Sequence, residues 1–305
     1  MKNLVLRVWH SWCEFWFRPG DTLGLGLFRA AYGTSVLVMY SIRQLDLEFL
    51  YTDKGIVQSE WAAKLLPEFN APIWTWLPQS VTSVYLLHST LLLALMFLAV
   101  GLFSRWAALL ALVCHLAFMQ RNISVAYGAD MINSFWLAYL SLTDSDQSVS
   151  LRAWLSRQGV WRRPPLSAWR RSLTQVGVRL VQVQLCLIYG FTGMEKLKGP
   201  PWWNGTAIWD VLGNQQLMMF ETSFMRNFPL LIGVMTFSTL FFEVYFPIMV
   251  WNRRLRLWVL LFGLGMHLAI GLLMGLVFFS MVMVSSYFVF LGREEIPFSD
   301  RLITT

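Results

Sequence analysis

The sequence predicts an all-α integral membrane protein, a polytopic bundle of about eight transmembrane helices with an N-terminal interfacial helix. Three observations carry that reading. The chain has 305 residues, of which 56% are hydrophobic and only 13% charged, about half the charged share of a soluble globular domain. Its apolar residues gather in runs near the ~20 residues that a helix needs to cross a bilayer. Its Lys and Arg, 24 against 17 Asp and Glu, fall mostly in short segments between those runs, where positive charge orients helices. These observations exclude an ordinary soluble enzyme, a disordered chain and a nucleic-acid-binding module. The net charge of +7 is spread through loops and forms no motif that reads bases.

Residues 1–20 read as an interfacial amphipathic helix. Trp9, Trp12 and Trp16 recur at helical spacing, and Pro19-Gly20 ends the segment. Arg7, His10 and Glu14 interrupt what would be the apolar core of a cleavable signal peptide. A tail packed on the bundle would serve the same anchoring purpose. Residues 21–292 form the transmembrane domain, with apolar runs at 23–41, 83–103, 105–120, 124–143, 174–195, 229–251, 255–275 and 276–291. The third and eighth runs are short and the fourth is the most polar. The last two are nearly continuous, so a tight turn is expected near Met274-Gly275. Residues 293–305 form a short cytoplasmic tail.

With a cytoplasmic N-terminus, the inside segments hold roughly twice as many Lys and Arg as the outside loops, although the outside loops are longer. The expectation is a multi-pass protein of the cytoplasmic (inner) membrane with both termini cytoplasmic and the lipid bilayer as its first partner. The outside loops carry Trp61, Trp74, Trp76, Trp202, Trp203 and Trp209, which suit re-entrant or interface-hugging segments. Cys13, Cys114 and Cys186 are far apart and form no C-x-x-C pair, so neither a disulfide framework nor a metal site is expected.

Ionisable residues inside spans are the informative ones, since each costs about 2.5–3.5 kcal/mol even on lenient insertion scales. Asp130, Lys196, Glu243 and His267 stand out. Arg29 and Arg179 read as structural or snorkelling residues, and His88 and His115 as packing residues. For Glu243 a structural ion pair and a functional role weigh equally. His267 sits in mid-span among Gly263, Gly265 and Gly271, a pattern that suggests a cavity with close helix approach.

Lys196 lies at the outer end of the fifth run, in Y-G-F-T-G-M-E-K-L-K-G-P-P-W-W-N-G-T-A. Gly193 permits close backbone approach, Pro200-Pro201 stop the helix, and Trp202 and Trp203 can fold over its end as an apolar lid. A lysine in an apolar pocket loses part of its ammonium solvation, which makes a neutral amine available as a general base. Glu195 points about 100° away round the helix, and Lys198, past the helix end, is expected to be solvated. An ordinary interface-snorkelling lysine is the competing reading.

The segment Gly193-x-x-Lys196-Leu197, with Trp202, Trp203 and Gly205, resembles the lysine motif of the vitamin K-dependent gamma-glutamyl carboxylases. It equally resembles their bacterial relatives, the horizontally transferred transmembrane (HTTM) domain proteins. Arg29, Y-T-D-K-G at 51–55, Arg121-Asn122 leading into Tyr127-Gly128-Ala129-Asp130, the Glu243 run and Gly-Met-His267 follow in that family's order. The resemblance covers about residues 20–292. It implies that Lys196 is the base that activates a reduced vitamin K or menaquinone-type quinol, with O2 and CO2 as co-substrates, and that His267 is a catalytic residue lining the pocket. It also implies cofactor-binding roles for Asp130, Tyr127, Asn122, Trp202, Trp203 and Glu243.

The sequence departs from the carboxylases at Ile123, where they carry a histidine, and at Ser150-Leu151-Arg152, where they carry S-L-D. It also ends about a dozen residues after the last run, where they continue into a large extramembrane domain. The expected acceptor is therefore a small peptide, a lipid or a partner-presented protein. The rival reading is a non-catalytic membrane bundle that assists maturation or export of a peptide or lipid partner. A transporter ranks below both, because no pair of Gly/Pro-broken helices repeats between the halves.

Overall fold

The computed structural model describes residues 2–65, 80–162, 164–214 and 219–296. Trp74 and Trp76, and residues 297–305 of the tail, lie outside the described residues. Among the described residues every regular element is helical. In chain order the α-helices are α1 (Lys2–Phe17), α2 (Leu23–Arg43), α3 (Leu47–Tyr51), α4 (Ser59–Leu65), α5 (Val81–Val100), α6 (Ser104–Arg121) and α7 (Gly128–Ser141). They continue with α8 (Leu151–Arg157), α9 (Ala168–Lys196), α10 (Pro200–Asn204), α11 (Ala207–Leu212), α12 (Pro229–Met249), α13 (Arg253–Leu273) and α14 (Val277–Ser285).

Five of these segments are long and apolar enough to cross a membrane: Leu23–Tyr51, Val81–Val100, Ala168–Lys196, Pro229–Met249 and Arg253–Leu273. The other three runs do not form helices of that kind. α7 has 14 residues, about 21 Å of helix against a hydrocarbon core of ~30 Å. α14 has 9 residues and continues only as a 3-10 turn. α6 has 18 residues but carries arginine near both ends and a histidine within. The turn expected near Met274-Gly275 is present, with Gly275 at φ +69°, a conformation that favours glycine.

The chain divides into two compact units, Met1–Val181 with Leu291–Thr305, and Gln182–Phe290. In the first unit, α2 packs on α5, α5 on α6 and α6 on α7. Gly33 makes the first contact possible, because a Cβ there would lie 3.0 Å from the Ala99 backbone. The interior of this unit is partly polar. Arg29 is fully buried and donates to the carbonyls of Leu98 at 2.7 Å and Ala99 at 2.5 Å, and to that of Val149. A guanidinium at this place binds carbonyls of the last turn of α5 and opposes the negative end of the helix dipole.

His88 and His115 pack as expected. His88 Nε2 bonds the Tyr40 carbonyl at 3.0 Å, and His115 lies between the Tyr40 hydroxyl at 2.6 Å and the Asp130 carbonyl at 2.9 Å. α1 leaves Trp9 and Trp12 exposed. Near its C-terminal end, the Phe15 carbonyl accepts a 2.9 Å bond from Arg179, whose guanidinium also stacks on the Phe15 ring.

Candidate functional site

The second unit builds a site around the end of α9. Gly190 and Gly193 lie one turn apart and face Pro247 and Val244 of α12. A Cβ on Gly193 would lie 2.8 Å from the Val244 amide nitrogen, and one on Gly190 would lie 3.2 Å from the Pro247 ring. Missing side chains at two successive turns let the two helices meet backbone to side chain. One turn further along α9, that approach brings Lys196 Nζ to 2.7 Å from Glu243 Oε2 of α12.

The chain then turns at Gly199, and Pro200-Pro201 start α10, where proline's missing N–H costs nothing. This places the Trp202 ring with its centroid 5.2 Å from Lys196 Nζ, a cation–π distance. Thr236 of α12 pins the next turn. Its hydroxyl donates to the Gly205 carbonyl at 3.2 Å and accepts from the Ile208 amide at 3.2 Å.

Lys196, Glu243 and Trp202 stand at a cavity of about 390 Å3, whose other lining residues include Ile208, Met235, Thr239, Phe262, Met266 and Ile270. Apart from the ion pair and the Trp202 indole, the polar side chains among these lining residues are Ser238 and Thr239. The Lys196 and Glu243 side chains are 24% and 10% exposed. The site therefore joins one mutually neutralising ion pair to an apolar chamber. Chemically, such a chamber fits an uncharged amphiphile that offers a hydroxyl to the pair and a ring or chain to the methionines and Phe262.

Two sequence expectations change here. Trp203 is no lid: it is 63% exposed, and its indole N–H donates to the Leu197 carbonyl at 2.7 Å. Trp202 alone covers the ammonium. Nor does His267 line the cavity. On α13 the residues that do are Gly265, Met266, Ala269 and Ile270, and the 100° step between neighbours turns His267 to the other side. There it is buried, with Nε2 2.7 Å from the Tyr189 hydroxyl, which lies 2.6 Å from that of Tyr287. Among the described residues His267 Nδ1 has no hydrogen-bond partner. Gly263, one turn before His267, makes room for this cluster, since a Cβ there would lie 2.4 Å from the Tyr287 hydroxyl.

Sequence reasoning missed Tyr189 and Tyr287. For Tyr189 a signal was present: Tyr189, Gly193 and Lys196 stand at i, i+4 and i+7 and so share one face of α9. Lys198 behaves as expected. It is 70% exposed and pairs with Glu195 at 2.6 Å, which leaves Lys196 to Glu243.

Asp130, Tyr127 and Asn122 belong to the first unit, where local partners occupy them. Both Asp130 oxygens receive Arg43 at 2.8 Å, and Oδ2 also accepts from the Tyr127 amide at 3.2 Å. The Tyr127 hydroxyl reaches Met39 Sδ at 4.0 Å. Asn122 donates to the Leu50 carbonyl at 2.8 Å and accepts from the Ser124 amide at 3.1 Å.

The Y-T-D-K-G and Arg121-Asn122 motifs, separate in sequence, close on one another. Arg121 binds Asp53 at 2.9 Å and the Val57 carbonyl at 2.9 Å. Asp53 also accepts from the Ser59 hydroxyl and from its amide at 2.7 Å. The hydrogen bonds from Ser59, together with Arg121, hold the Asp53 carboxyl below its ordinary range.

Groups of three or more His, Cys, Asp or Glu able to hold a metal are absent among the described residues. Neither a curated protein nor a solved structure matches the chain. A family model described as the HTTM domain matches residues 17–294, nearly the whole length. The stretch it covers includes the lysine segment, the Glu243 helix and the two motifs that clasp in the first unit. This chain is a member of the HTTM domain family, membrane proteins related to the membrane domain of the carboxylases.

Proposed function

We propose that the chain is a carboxylase-like membrane enzyme in which Lys196 acts as a base toward a quinol-type lipid. The observation that carries this reading is the Lys196–Glu243 pair at 2.7 Å, standing at an otherwise apolar cavity of about 390 Å3. The residues fit such a group: Phe262 and the methionines suit a ring and an isoprenoid tail, and the pair suits an acidic hydroxyl. When bound, the quinol supplies oxygen-dependent chemistry that ends in a base strong enough to remove a carbon-bound proton.

The chain's own residues do the preparatory work. Glu243 orients Lys196 Nζ and can hold the proton that the ammonium must give up before the amine acts as a base. Trp202 covers Nζ and excludes water. Tyr189 and His267 sit behind the pair and hold α9 and α13 in register, which makes them positioning residues.

In this reading Asp130, Tyr127 and Asn122 brace the first unit, and the positive-inside charge bias puts Lys196 on the outer side of an inner membrane. The acceptor would be a peptide, a lipid or a protein brought by a partner.

The experiment is quinol oxidation by the purified full-length protein in nanodiscs, with lipid extraction and mass spectrometry of what co-purifies. A menaquinone-type lipid should co-purify, Lys196→Ala and Lys196→Arg should abolish turnover, and Glu243→Gln should lower it by about two orders of magnitude or more. Full turnover in both lysine variants would refute the base assignment. Absence of any quinone, together with no turnover of added quinol, would favour the non-catalytic bundle.

A further inference from the structure

A second cavity lies in the first unit, at the turn between α5 and α6, and the proposed chemistry does not use it. Its volume is about 200 Å3, and its lining comprises Arg105, Arg152 and Arg170, the aspartates Asp144 and Asp146, and the aromatic pair Phe103 and Trp106. Asp146 pairs with Arg152 at 2.7 Å, and Asp144 pairs with Arg170 and with Arg105 at 3.6 Å. Three positive charges against two negative leave the lining with a surplus of one.

The ion pairs do not exhaust these side chains. Among the described residues, the Nε–H groups of Arg105, Arg152 and Arg170 and Oδ1 of Asp146 have no hydrogen-bond partner, and Oδ2 of Asp144 has only its 3.6 Å ion pair with Arg105 and no hydrogen bond. All five atoms are buried. Both aspartates are at least nine-tenths buried, at 3% and 2% exposed. Buried polar groups in native proteins find partners, so a cavity that five of them share calls for a ligand with both acceptors and donors. The surplus charge makes that ligand an anion, and the unused N–H groups call for its oxygens. The unpartnered Asp146 oxygen, and the Asp144 oxygen that accepts no hydrogen bond, call for hydroxyls on the same molecule.

The surroundings name the source. Trp106 is 67% exposed and Phe103 46%, and the apolar surface continues through Leu110 at 46% and Val113 at 43%. Spacings of four and three residues put Trp106, Leu110 and Val113 on one face of α6, with Phe103 just before its first turn. They form an exposed apolar stripe that starts at the cavity and runs along the helix. A soluble phosphate would use the arginines and ignore the stripe, whereas a lipid uses both.

We propose that this cavity binds the headgroup of an anionic, hydroxyl-bearing phospholipid of the phosphatidylglycerol type, with an acyl chain lying along Trp106, Leu110 and Val113. The phosphodiester oxygens accept from the arginine Nε–H groups, and the headgroup hydroxyls donate to Asp144 and Asp146. The proposal is independent of the quinol reading, because it uses no residue of the second unit.

The test titrates delipidated full-length protein in detergent with phosphatidylglycerol, phosphatidylcholine or inorganic phosphate, with adducts counted by native mass spectrometry. Phosphatidylglycerol should bind at least about tenfold more tightly than phosphatidylcholine, and Arg152→Gln should weaken it about tenfold or more. Trp106→Gln changes an exposed side chain that no ion pair needs, so the fold survives it, and it should weaken lipid binding severalfold. Arg254→Gln, at an exposed position on α13, should leave binding unchanged. Equal binding of the two lipids would overturn the proposal, as would wild-type affinity in both Arg152→Gln and Trp106→Gln. Inorganic phosphate displacing the lipid at equal concentration would overturn the lipid as the source.

Discussion

Removing one member of the Lys196–Glu243 pair should cost far more than removing both. At 2.7 Å, Coulomb's law brackets the attraction between about 1.5 kcal/mol in a water-like medium and about 6 kcal/mol at an effective dielectric of 20. Side-chain exposures of 24% and 10% put the pair nearer the buried limit, where loss of one partner costs about 3–5 kcal/mol, than the exposed limit of about 0–1 kcal/mol. Allowing for the partial exposure of the lysine, we expect Glu243→Leu or Lys196→Met alone to destabilise the protein by about 2–3 kcal/mol. The double variant K196M/E243L should lose no more than about 1 kcal/mol, because apolar replacements fill a site that is otherwise apolar.

The coupling energy from the cycle is then about 3–6 kcal/mol in magnitude. Reversible denaturant unfolding in mixed micelles, followed by tryptophan fluorescence, measures it. The Lys198–Glu195 pair, 70% and 47% exposed, is the internal control and should couple by about 0.5 kcal/mol or less. A Lys196–Glu243 coupling no larger than that of the control would refute the reasoning, since it would mean that the pair behaves as if solvated.

Three further outcomes follow from the geometry. Gly193→Ala places a Cβ 2.8 Å from the Val244 backbone nitrogen, so α9 and α12 must separate. Thermal unfolding should show a loss of about 1–3 kcal/mol, and quinol turnover should fall with it. Tyr189→Phe leaves His267 Nε2 and the Tyr287 hydroxyl without the oxygen they share, at a cost of about 1–3 kcal/mol in the same unfolding assay. Because the Asp53 carboxyl is held below its ordinary range, its clasp contributes stability above the unfolded value of about 3.9, and that contribution disappears as pH falls through the lower folded value. Limited proteolysis within 51–59 should therefore accelerate below about pH 4, and Asp53→Asn should show the fast cleavage at neutral pH.

Much of the site was legible along one helix. Gly193 as a point of close approach, the helix stop before Pro200-Pro201, the exposed Lys198 and the Gly275 turn all follow from local rules of backbone and capping. Trp203 was not legible, because two adjacent tryptophans on a five-residue helix differ only in the direction each faces. The place of His267 was not legible for the same reason: Met266 and His267 are neighbours in sequence, and the rotation of α13 decides which one meets the cavity. Glu243 was visible as an unusual charge inside a span, without its partner. The family motifs at 51–55 and 121–122 were recognisable as strings, and their mutual clasp was not.

The sequence by itself determined the solvent, the helical class and the family, because bilayer residence, helix periodicity and motif order are properties of runs of residues and need no partner. It also singled out Lys196, since a charge at the end of an apolar run beside Gly, Pro and Trp is unusual wherever the helix packs. Only the tertiary structure decided what that lysine faces. Pairing with Glu243 depends on the register of α9 against α12, and the two helices share that register because Gly190 and Gly193 leave room for Pro247 and Val244. The lengths of the helices were likewise visible only in the structure, where five described segments are long and apolar enough to cross a membrane. Hydrophobic runs mark what is buried from water, and they do not by themselves say how long an unbroken helix each one forms.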